Sequence, residues 1–187
     1  ASWLSALARL SHTPNVRPPG KATNQHSGGI DPATLMRYCV TMFEKEQKIA
    51  EQFDPSERTV VFPGGCLDML RNCPDGVFGL VVTSPPYNIG KEYEKRLKLD
   101  SYLAQQAEVI RECVRCLSPR GSVCWQVGNY VDDGAIIPLD TILYPIFTSL
   151  GLRMRNRIIW HFEHGLHCSK RFSGRYETIV WFTKSDE

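Results

Sequence analysis

The sequence has 187 residues, of which 42% are apolar, and its 22 Lys and Arg residues are nearly balanced by 20 Asp and Glu residues. This length and composition fit a soluble globular protein with one core and a tail or partial second domain. The roughly 18 to 20 uninterrupted apolar residues of a membrane-spanning helix are absent, and a net charge of +2 means that any basic surface must be local. Seven irregularly spaced cysteines predict reduced thiols in a cytoplasmic protein.

Residues 1–57 are predicted to be an N-terminal extension. Residues 11–30 are rich in Pro, Gly, Ser and Asn without apolar periodicity, which predicts a flexible segment. Asp31 followed by Pro32 is a helix start, and apolar residues at helical spacing predict a helix over about residues 32–53. The first thirty residues contain no acid, which fits a plain extension or, as the weaker alternative, a transit peptide.

Residues 58–187 alternate between strand and helix patterns. This alternation predicts an α/β fold with a mostly parallel sheet and an antiparallel pair of strands at one edge. We expect Trp125 and Trp160 to pack in its core. The predicted strands are Thr59–Phe62, Phe78–Thr83, Ser122–Gly128, Met154–Phe162 and Tyr176–Lys184; the helices are Cys66–Cys73, about Asp100–Leu117 and Pro138–Gly151; and a turn is predicted at Ser118–Gly121.

The sequence Thr-Ser-Pro-Pro-Tyr directly follows the strand with the most continuous apolar character, Phe78–Thr83. Ligand sites of open α/β sheets lie beyond the carboxyl ends of such strands. The two prolines hold an extended exit from the strand, so that backbone carbonyls and the Ser84 hydroxyl are available as acceptors beside the aromatic ring of Tyr87. This arrangement suits an amino group on a planar ring. A simple turn, with Tyr87 filling the core, is the alternative.

The motif and its surroundings resemble the beta class of amino DNA methyltransferases, which modify cytosine N4 or adenine N6. Serine in the first position is most typical of the cytosine-N4 enzymes. The resemblance runs from about Arg58 to the last residue and includes the segments "FPGGCLDMLRNCPDG", "CLSPRGS", "CWQVGNY" and "RFSGRYETIVWFTK". It implies a partial Rossmann-like fold of the kind that binds S-adenosylmethionine.

In such enzymes the target base is flipped out of double-stranded DNA. The resemblance implies that the Ser84 hydroxyl and the Pro85 carbonyl accept hydrogen bonds from the amino group, that Pro86 stiffens the loop, and that Tyr87 stacks on the base. It also implies that the cofactor is held near the strand exit and the preceding helix, by Gly64, Gly65, Cys66, Asp68 and Thr83.

The sequence departs from the family pattern around the cofactor. The family usually has Asp where this chain has Gly65, and Asp68 lies three residues further on. An Asp is also common at the position of Gly79. The glycine-rich cofactor loop, which follows these blocks in the beta class, has no match here, and the chain is identified as lacking the C-terminal cofactor-binding half. The chain is therefore interpreted as a fragment, as one half of a split enzyme or as a form that has lost catalysis. We expect a second chain or a dimer to supply the missing sheet edge.

The segment from Arg153 to Arg175 is basic and carries two further candidate sites. Lys170, Arg171 and Arg175 surround Phe172 and are predicted to contact DNA phosphates. His161, His164, His167 and Cys168 have spacings that hint at a metal, but Gly165 interrupts them and no metal site is predicted. The leading interpretation is thus cytosine-N4 methylation, with adenine-N6 methylation second. A non-catalytic module that binds nucleic acid or completes a partner's sheet is the alternative from another class.

Overall fold

The structure is a computed structural model that describes residues 9–10, 49–50, 52–57, 59–89, 96–163, 168–169 and 171–185. The chain forms two compact units, one made of Ala1–Ser11 and Pro63–Glu187 and the other of His12–Phe62. No helix among these described residues is long and apolar enough to cross a membrane. The predicted division between residues 57 and 58 stays a prediction.

The unit of residues 12–62 contains two short parallel strands, β2 (Ile49–Ala50) and β3 (Thr59–Val60). Asp54 stabilises the turn between them by accepting hydrogen bonds from the Ser56 backbone N–H at 2.8 Å and the Ser56 hydroxyl at 2.6 Å. The helix predicted over residues 32–53 and the flexible segment 11–30 lie mostly or wholly outside the described residues. At the end of the predicted helix, Ile49–Ala50 is a strand because it pairs with β3.

The unit that includes the Ser-Pro-Pro-Tyr motif contains a five-stranded sheet in the order β1-β4-β5-β9-β8. Its strands are β1 (Arg9–Leu10), β4 (Phe78–Thr83), β5 (Leu117–Val127), β8 (Arg153–His161) and β9 (Tyr176–Thr183). The strand pair β4–β5 is parallel, whereas β1–β4, β5–β9 and β8–β9 are antiparallel. The predicted antiparallel edge pair is confirmed as β8–β9. The sheet is mixed, with more antiparallel pairing than the sequence pattern indicates.

The described residues of this unit also form three helices and one hairpin. The helices are α1 (Cys66–Asn72), α2 (Leu99–Cys116) and α3 (Leu139–Ser149), each within two residues of its predicted bounds. A hairpin of β6 (Asn129–Asp132) and β7 (Ala135–Pro138) follows β5 and was not predicted. Its turn places Asp133 and Gly134 at positive φ, of 43° and 79°, as a tight two-residue hairpin turn requires.

The core lies between one face of the sheet and the helices α2 and α3. Trp125 on β5 meets the ring of Phe147 on α3 edge-on at 5.6 Å, and Phe147 stacks on Phe182 of β9 at 4.4 Å. Trp125 is buried, as predicted, and Val123 and Val180 lie on the same sheet face. This packing fixes β5, which pairs with β4, and β9 against each other.

The opposite face of the sheet is apolar and remains partly exposed. Val82, Cys124 and Trp181 lie side by side across β4, β5 and β9, and Val82 and Trp181 are 38% and 36% exposed. On the edge strand β8, Ile158 and Trp160 are 42% and 57% exposed. The prediction that Trp160 packs in the core is therefore wrong, because no strand among the described residues flanks β8 on its outer side.

Two β-bulges make the observed strands differ from the predicted ones. The predicted turn Ser118–Gly121 is a bulged part of β5, since the register passes from Phe78 opposite Leu117 to Leu80 opposite Ser122. A second bulge falls between Met154 and Asn156 on β8. Because a one-residue bulge reverses which way side chains point, Arg153 and Arg157 do not share a strand face as their alternate spacing predicts.

Candidate functional site

The Ser-Pro-Pro-Tyr motif lies where β4 ends, beside the carboxyl end of the parallel strand β5. Ser84 is exposed, Pro85 is buried, and Pro86 and Tyr87 are half-buried. Because residues before and at proline favour extended backbone, the chain leaves β4 without forming a helix. The motif thus has the position that the sequence predicts, at the sheet edge where open α/β proteins bind ligands.

Tyr87 is the centre of the site. Its ring packs on the backbone of Gly128, at the end of β5, so closely that a Cβ at residue 128 would lie 3.1 Å and 3.3 Å from ring atoms Cδ2 and Cε2. The Tyr87 hydroxyl oxygen lies 2.8 Å from the Ser84 hydroxyl oxygen, and it donates a hydrogen bond of 3.0 Å to Oε2 of Glu177. Tyr87 is therefore held both through its ring and through its hydroxyl.

Glu177 and Gln126 are functional candidates that the sequence analysis missed. Gln126 Nε2 donates to the same Glu177 oxygen, Oε2, at 2.5 Å. Glu177 is the second residue of the antiparallel strand β9, next to Thr178, which pairs with Val127 at the end of β5. Antiparallel pairing thus brings the start of β9 to the edge where β4 ends, although Glu177 is 90 residues from Tyr87. A lone acid beside the apolar run "TIVWF" is the sequence signal that could have identified it.

Asn88 closes the base of the loop that follows the motif. It is 2% exposed and has a positive φ of 60°. Its Oδ1 accepts a hydrogen bond from the Leu97 N–H at 2.6 Å, and its Nδ2 donates to the Leu97 carbonyl at 2.9 Å. Arg96, which precedes Leu97, donates to the Tyr130 hydroxyl at 3.1 Å and to the Val131 carbonyl at 2.9 Å. The two ends of the loop are thereby fixed to the motif and to the β6–β7 hairpin.

The residues predicted to hold a cofactor lie on α1, just before it, and at the end of β4. Gly64 is exposed, Gly65 is the N-cap of α1, and Thr83 is half-buried at the last position of β4. The Cys66 side chain is buried, which raises the pKa of its thiol. The Asp68 carboxylate turns back over Gly65, and its Oδ2 lies 2.9 Å from the place that a Cβ of residue 65 would occupy.

The predicted phosphate contacts lie in the connection between β8 and β9. Arg171 and Arg175 are exposed, and Phe172 between them is 99% exposed. The Phe162 N–H donates to the Arg175 carbonyl at 2.9 Å and extends the strand pairing to the base of this connection. Lys170 lies outside the described residues, and so do His164 and His167 of the candidate metal cluster. Within the described part of the chain, no three His, Cys, Asp or Glu residues are grouped to hold a metal.

The Cys113–Cys116 pair of the long helix packs in the core. Cys116 is fully buried, and burial raises the pKa of the Cys113 thiol, which keeps that thiol protonated at neutral pH. A protonated, inaccessible thiol is a poor nucleophile and a poor metal ligand. Both side chains of this Cys-x-x-Cys pair therefore contribute to core packing.

Comparison with known proteins identifies relatives that match the part of the chain containing strands β4, β5, β8 and β9. Residues 78–187 match the family model described as DNA methylase, of the N6/N4 methyltransferase type. The chain is 51% identical over 140 residues to the type II methyltransferase M.BglII of Bacillus subtilis, a match that covers 74% of this chain and 39% of that protein. It is 29% identical over 133 residues to the DNA adenine methyltransferase YhdJ of Escherichia coli, covering 69% of this chain and 42% of that protein. The chain thus spans about two fifths of the length of these relatives.

Solved structures share the fold. A protein of Thermus thermophilus described as a DNA modification methylase aligns with a TM-score of 0.55 and 27% identity, covering 66% of this chain and 52% of that one. The structure of the same protein complexed with S-adenosylmethionine aligns with a TM-score of 0.54 and 26% identity, with the same coverage. The cytosine-N4-specific PvuII DNA methyltransferase aligns with a TM-score of 0.56 over 67% of this chain and 49% of that one, at 20% identity, which shows a common fold alone.

The predicted fold class is confirmed, because the chain aligns with solved methyltransferase structures, one of them in complex with S-adenosylmethionine. The family model covers more than half of the chain, including the Ser-Pro-Pro-Tyr motif and both strands of the antiparallel pair β8–β9. The chain belongs to the N6/N4 DNA methylase family.

Proposed function

We propose that the protein containing this chain transfers a methyl group from S-adenosylmethionine to the exocyclic amino group of a base flipped out of double-stranded DNA. The observation that carries this proposal is the position of Ser84 and Tyr87, joined by a 2.8 Å hydrogen bond at the sheet edge where such sites form. Bases must leave the stack before their amino nitrogen can react. The type II methyltransferases among the relatives support a role in restriction-modification, in the cytoplasm of a bacterial cell.

Cytosine N4 is the proposed acceptor. Serine at position 84 supports it, because this residue is most typical of the cytosine-N4 members of the family. The Ser84 hydroxyl and the Pro85 carbonyl accept hydrogen bonds from the two amino hydrogens, which draws the nitrogen lone pair out of conjugation with the ring. Both acceptors also stabilise the positive charge that develops on the nitrogen, so no metal or strong base is required. Tyr87 stacks on the base, a contact of about 1 to 3 kcal/mol.

Adenine N6 is the second candidate acceptor. The 29% identity to an adenine methyltransferase of Escherichia coli over 133 residues favours it specifically. The same two acceptors suit the N6 amino group of adenine, since it also carries two hydrogens on an sp² ring. The two reactions differ in the size of the pocket that the flipped base fills rather than in the chemistry of Ser84 and Pro85.

S-Adenosylmethionine supplies, when bound, an electrophilic methyl group on a sulfonium sulfur. The residues of this chain that we propose for holding it are Thr83 and the segment with Gly64, Gly65, Cys66 and Asp68. They fit in part: the exposed Asp68 carboxylate occupies the space above Gly65, where it can accept hydrogen bonds from hydroxyl groups of the cofactor. Gly64 and Gly65 leave their backbone open to close approach.

DNA phosphates are the proposed ligands of Lys170, Arg171 and Arg175. The exposed guanidinium groups of Arg171 and Arg175 on either side of the fully exposed Phe172 support this, because burying that ring against DNA would offset its exposure to water. A second chain or a dimer that supplies the missing sheet edge is the proposed protein partner. A non-catalytic module that binds DNA or completes another sheet remains the alternative class.

The test is to express the protein containing this chain in a bacterial strain without DNA methylation and to analyse the nucleosides of its DNA by mass spectrometry. N4-methylcytosine supports the proposal, N6-methyladenine supports the second candidate, and the absence of both supports the non-catalytic alternative. Ser84→Ala should abolish the methylated nucleoside. The matched control Ser101→Ala, at an exposed position of α2, should leave it unchanged.

A further inference from the structure

Four side chains form a continuous series of hydrogen bonds that ends at the proposed base site. Gln126 Nε2 donates to Glu177 Oε2 at 2.5 Å, and the Tyr87 hydroxyl donates to the same oxygen at 3.0 Å. The Tyr87 hydroxyl oxygen lies 2.8 Å from that of Ser84. The series therefore runs from the interior of the sheet, where Gln126 and Glu177 are half-buried, to the exposed hydroxyl of Ser84.

The direction of each bond follows from the protons available. An ionised carboxylate can only accept, so the single proton of the Tyr87 hydroxyl is directed at Glu177. The bond between Tyr87 and Ser84 must then use the proton of Ser84, because Tyr87 has no second one. With its only proton directed at Tyr87, Ser84 presents lone pairs, and no donor, to a ligand at the strand exit.

We propose that Glu177 is a positioning residue that, through Tyr87, fixes the Ser84 hydroxyl as a hydrogen-bond acceptor and thereby selects an amino group over a keto group on the flipped base. The inference rests on the proposed function and extends it to a residue that does not touch the substrate. A serine alone can donate to a keto oxygen as readily as it accepts from an amino group. The carboxylate removes that ambiguity and gives a neutral serine the acceptor-only character of an Asp side chain.

Gln126 and Gly128 keep this series in place. Gln126 holds the Glu177 oxygen that accepts the Tyr87 hydrogen bond, and Gly128 lets the Tyr87 ring lie directly on the backbone just after β5.

Rejection of a keto group follows from the same geometry. A keto oxygen at the position of the amino nitrogen would face only the lone pairs of Ser84 and the Pro85 carbonyl, which costs binding energy at both contacts.

The test compares binding of two duplexes that differ only in this group, without any need for methyl transfer. The target cytosine is replaced by uracil or, if adenine is the target, by hypoxanthine. Dissociation constants for both duplexes are measured by fluorescence anisotropy with the protein containing this chain. For each variant, the keto-to-amino ratio is the dissociation constant of the keto duplex divided by that of the amino duplex. Comparing ratios between variants cancels the different energies of flipping the two bases, since each duplex is the same in every measurement.

Tyr87→Phe and Glu177→Ala should each lower the keto-to-amino ratio about tenfold, because the Ser84 hydroxyl becomes free to donate. The double variant should lower it no further than either single one. Glu177→Gln should retain most of the ratio, since its amide oxygen can accept from both Tyr87 and Gln126. Tyr144→Phe, which removes the hydroxyl of a half-exposed tyrosine on α3, is the matched control and should leave the ratio unchanged.

An unchanged ratio in Tyr87→Phe and Glu177→Ala, with duplex binding retained, would overturn the inference. Additive effects in the double variant would also contradict it, since they would show that Glu177 acts independently of Tyr87. Failure of the proposed function is distinguishable from both outcomes. In that case the unsubstituted protein would methylate neither base and would show no preference for the amino duplex.

Discussion

The Asn88 side chain forms hydrogen bonds with both backbone groups of Leu97, at 2.6 Å to its N–H and 2.9 Å to its carbonyl. A single amide thus substitutes for a pair of ladder hydrogen bonds between two strands. It joins the residue after the Ser-Pro-Pro-Tyr motif to the start of α2, and it does so from a buried position with a positive φ.

Replacement of Asn88 should separate its two contributions. Asn88→Gly keeps the positive φ at no steric cost but removes both hydrogen bonds, and it should lower the free energy of unfolding by about 1 to 3 kcal/mol. Asn88→Ala should cost about 1 kcal/mol more, because alanine is strained at this φ. Urea denaturation followed by circular dichroism measures both values. An Ala variant at least as stable as the Gly variant would contradict this account of the backbone.

Gly128→Ala should reduce activity far more than stability. The new Cβ would press on the Tyr87 ring at 3.1 Å and 3.3 Å, so the ring and its hydroxyl must move away from Glu177 and Ser84. We expect methylation to fall about 10- to 100-fold, a loss that misplaced reacting groups commonly cause, while unfolding free energy falls by roughly 1 to 2 kcal/mol. Gly174→Ala, where no atom of the described residues lies within 4 Å of the added carbon, is the stability control. Full activity of Gly128→Ala would show that Tyr87 need not hold its position.

Gln106→Leu should stabilise the protein. Gln106 lies in α2 with its side chain fully buried, and neither its Oε1 nor its Nε2 has a hydrogen-bond partner among the residues that the structure describes. Burying an amide without a partner costs about 1 to 3 kcal/mol, which a leucine of similar length avoids. We expect a gain of about 1 to 2 kcal/mol in thermal or urea denaturation. Gln105→Leu, at the exposed neighbouring position, is the control and should change stability by less than about 0.5 kcal/mol.

Arg157→Ala should destabilise the packing of α3 on the sheet. Arg157 Nε donates to Oδ2 of Asp140 at 2.5 Å, and the Asp140 side chain is only 5% exposed. Because the arginine itself is half-exposed, we expect a loss of about 1 to 3 kcal/mol, below the range for a fully buried pair. In an Asp140→Asn background the same substitution should cost less. If Arg157→Ala lowered the free energy of unfolding equally in both backgrounds, its ion pair with Asp140 would not be the cause of the loss. A similar loss in Arg120→Ala, at an exposed position, would lead to the same conclusion.

Arg171→Ala and Arg175→Ala should weaken duplex binding in a salt-dependent way. Each phosphate contact contributes roughly 0.9 to the slope of log affinity against log salt concentration, so each variant should reduce that slope by about one. Titrations at several salt concentrations measure the slope. Arg120→Ala, at an exposed position of the β5 bulge, should leave it unchanged. An undiminished slope in both loop variants would place the phosphate contacts elsewhere.

The strands and helices that the sequence predicts well are those with a strong local pattern. Phe78–Thr83 has its predicted bounds because six consecutive residues suit a strand buried in a sheet, and α2 follows from regular apolar spacing. The location of the motif at the carboxyl edge follows from a general property of α/β sheets. The hairpin at Asp133–Gly134 was missed although an Asp-Gly pair between apolar residues is a turn signal.

The remaining features depend on long-range pairing and could not be read from local patterns. Glu177 reaches Tyr87 only because β9 is antiparallel to β5 with Thr178 opposite Val127. Bulges in β5 and β8 change the strand register by amounts that the alternation of apolar and polar residues does not predict. Trp160 has an apolar sequence environment typical of a core residue, yet it lies on an edge strand, and strand order is a property of the whole sheet.

The tryptophans of the sheet provide an optical reporter of what covers it. Trp160 and Trp181 are exposed on or beside the uncovered apolar face, while Trp125 is buried against α3. Indoles in water emit at longer wavelengths than indoles in a dry interior. Any polypeptide that covers this face would therefore shift the emission of Trp160 and Trp181 to shorter wavelengths and protect both from acrylamide quenching. Trp125 would be unaffected, so assembly of the sheet can be followed without an attached dye.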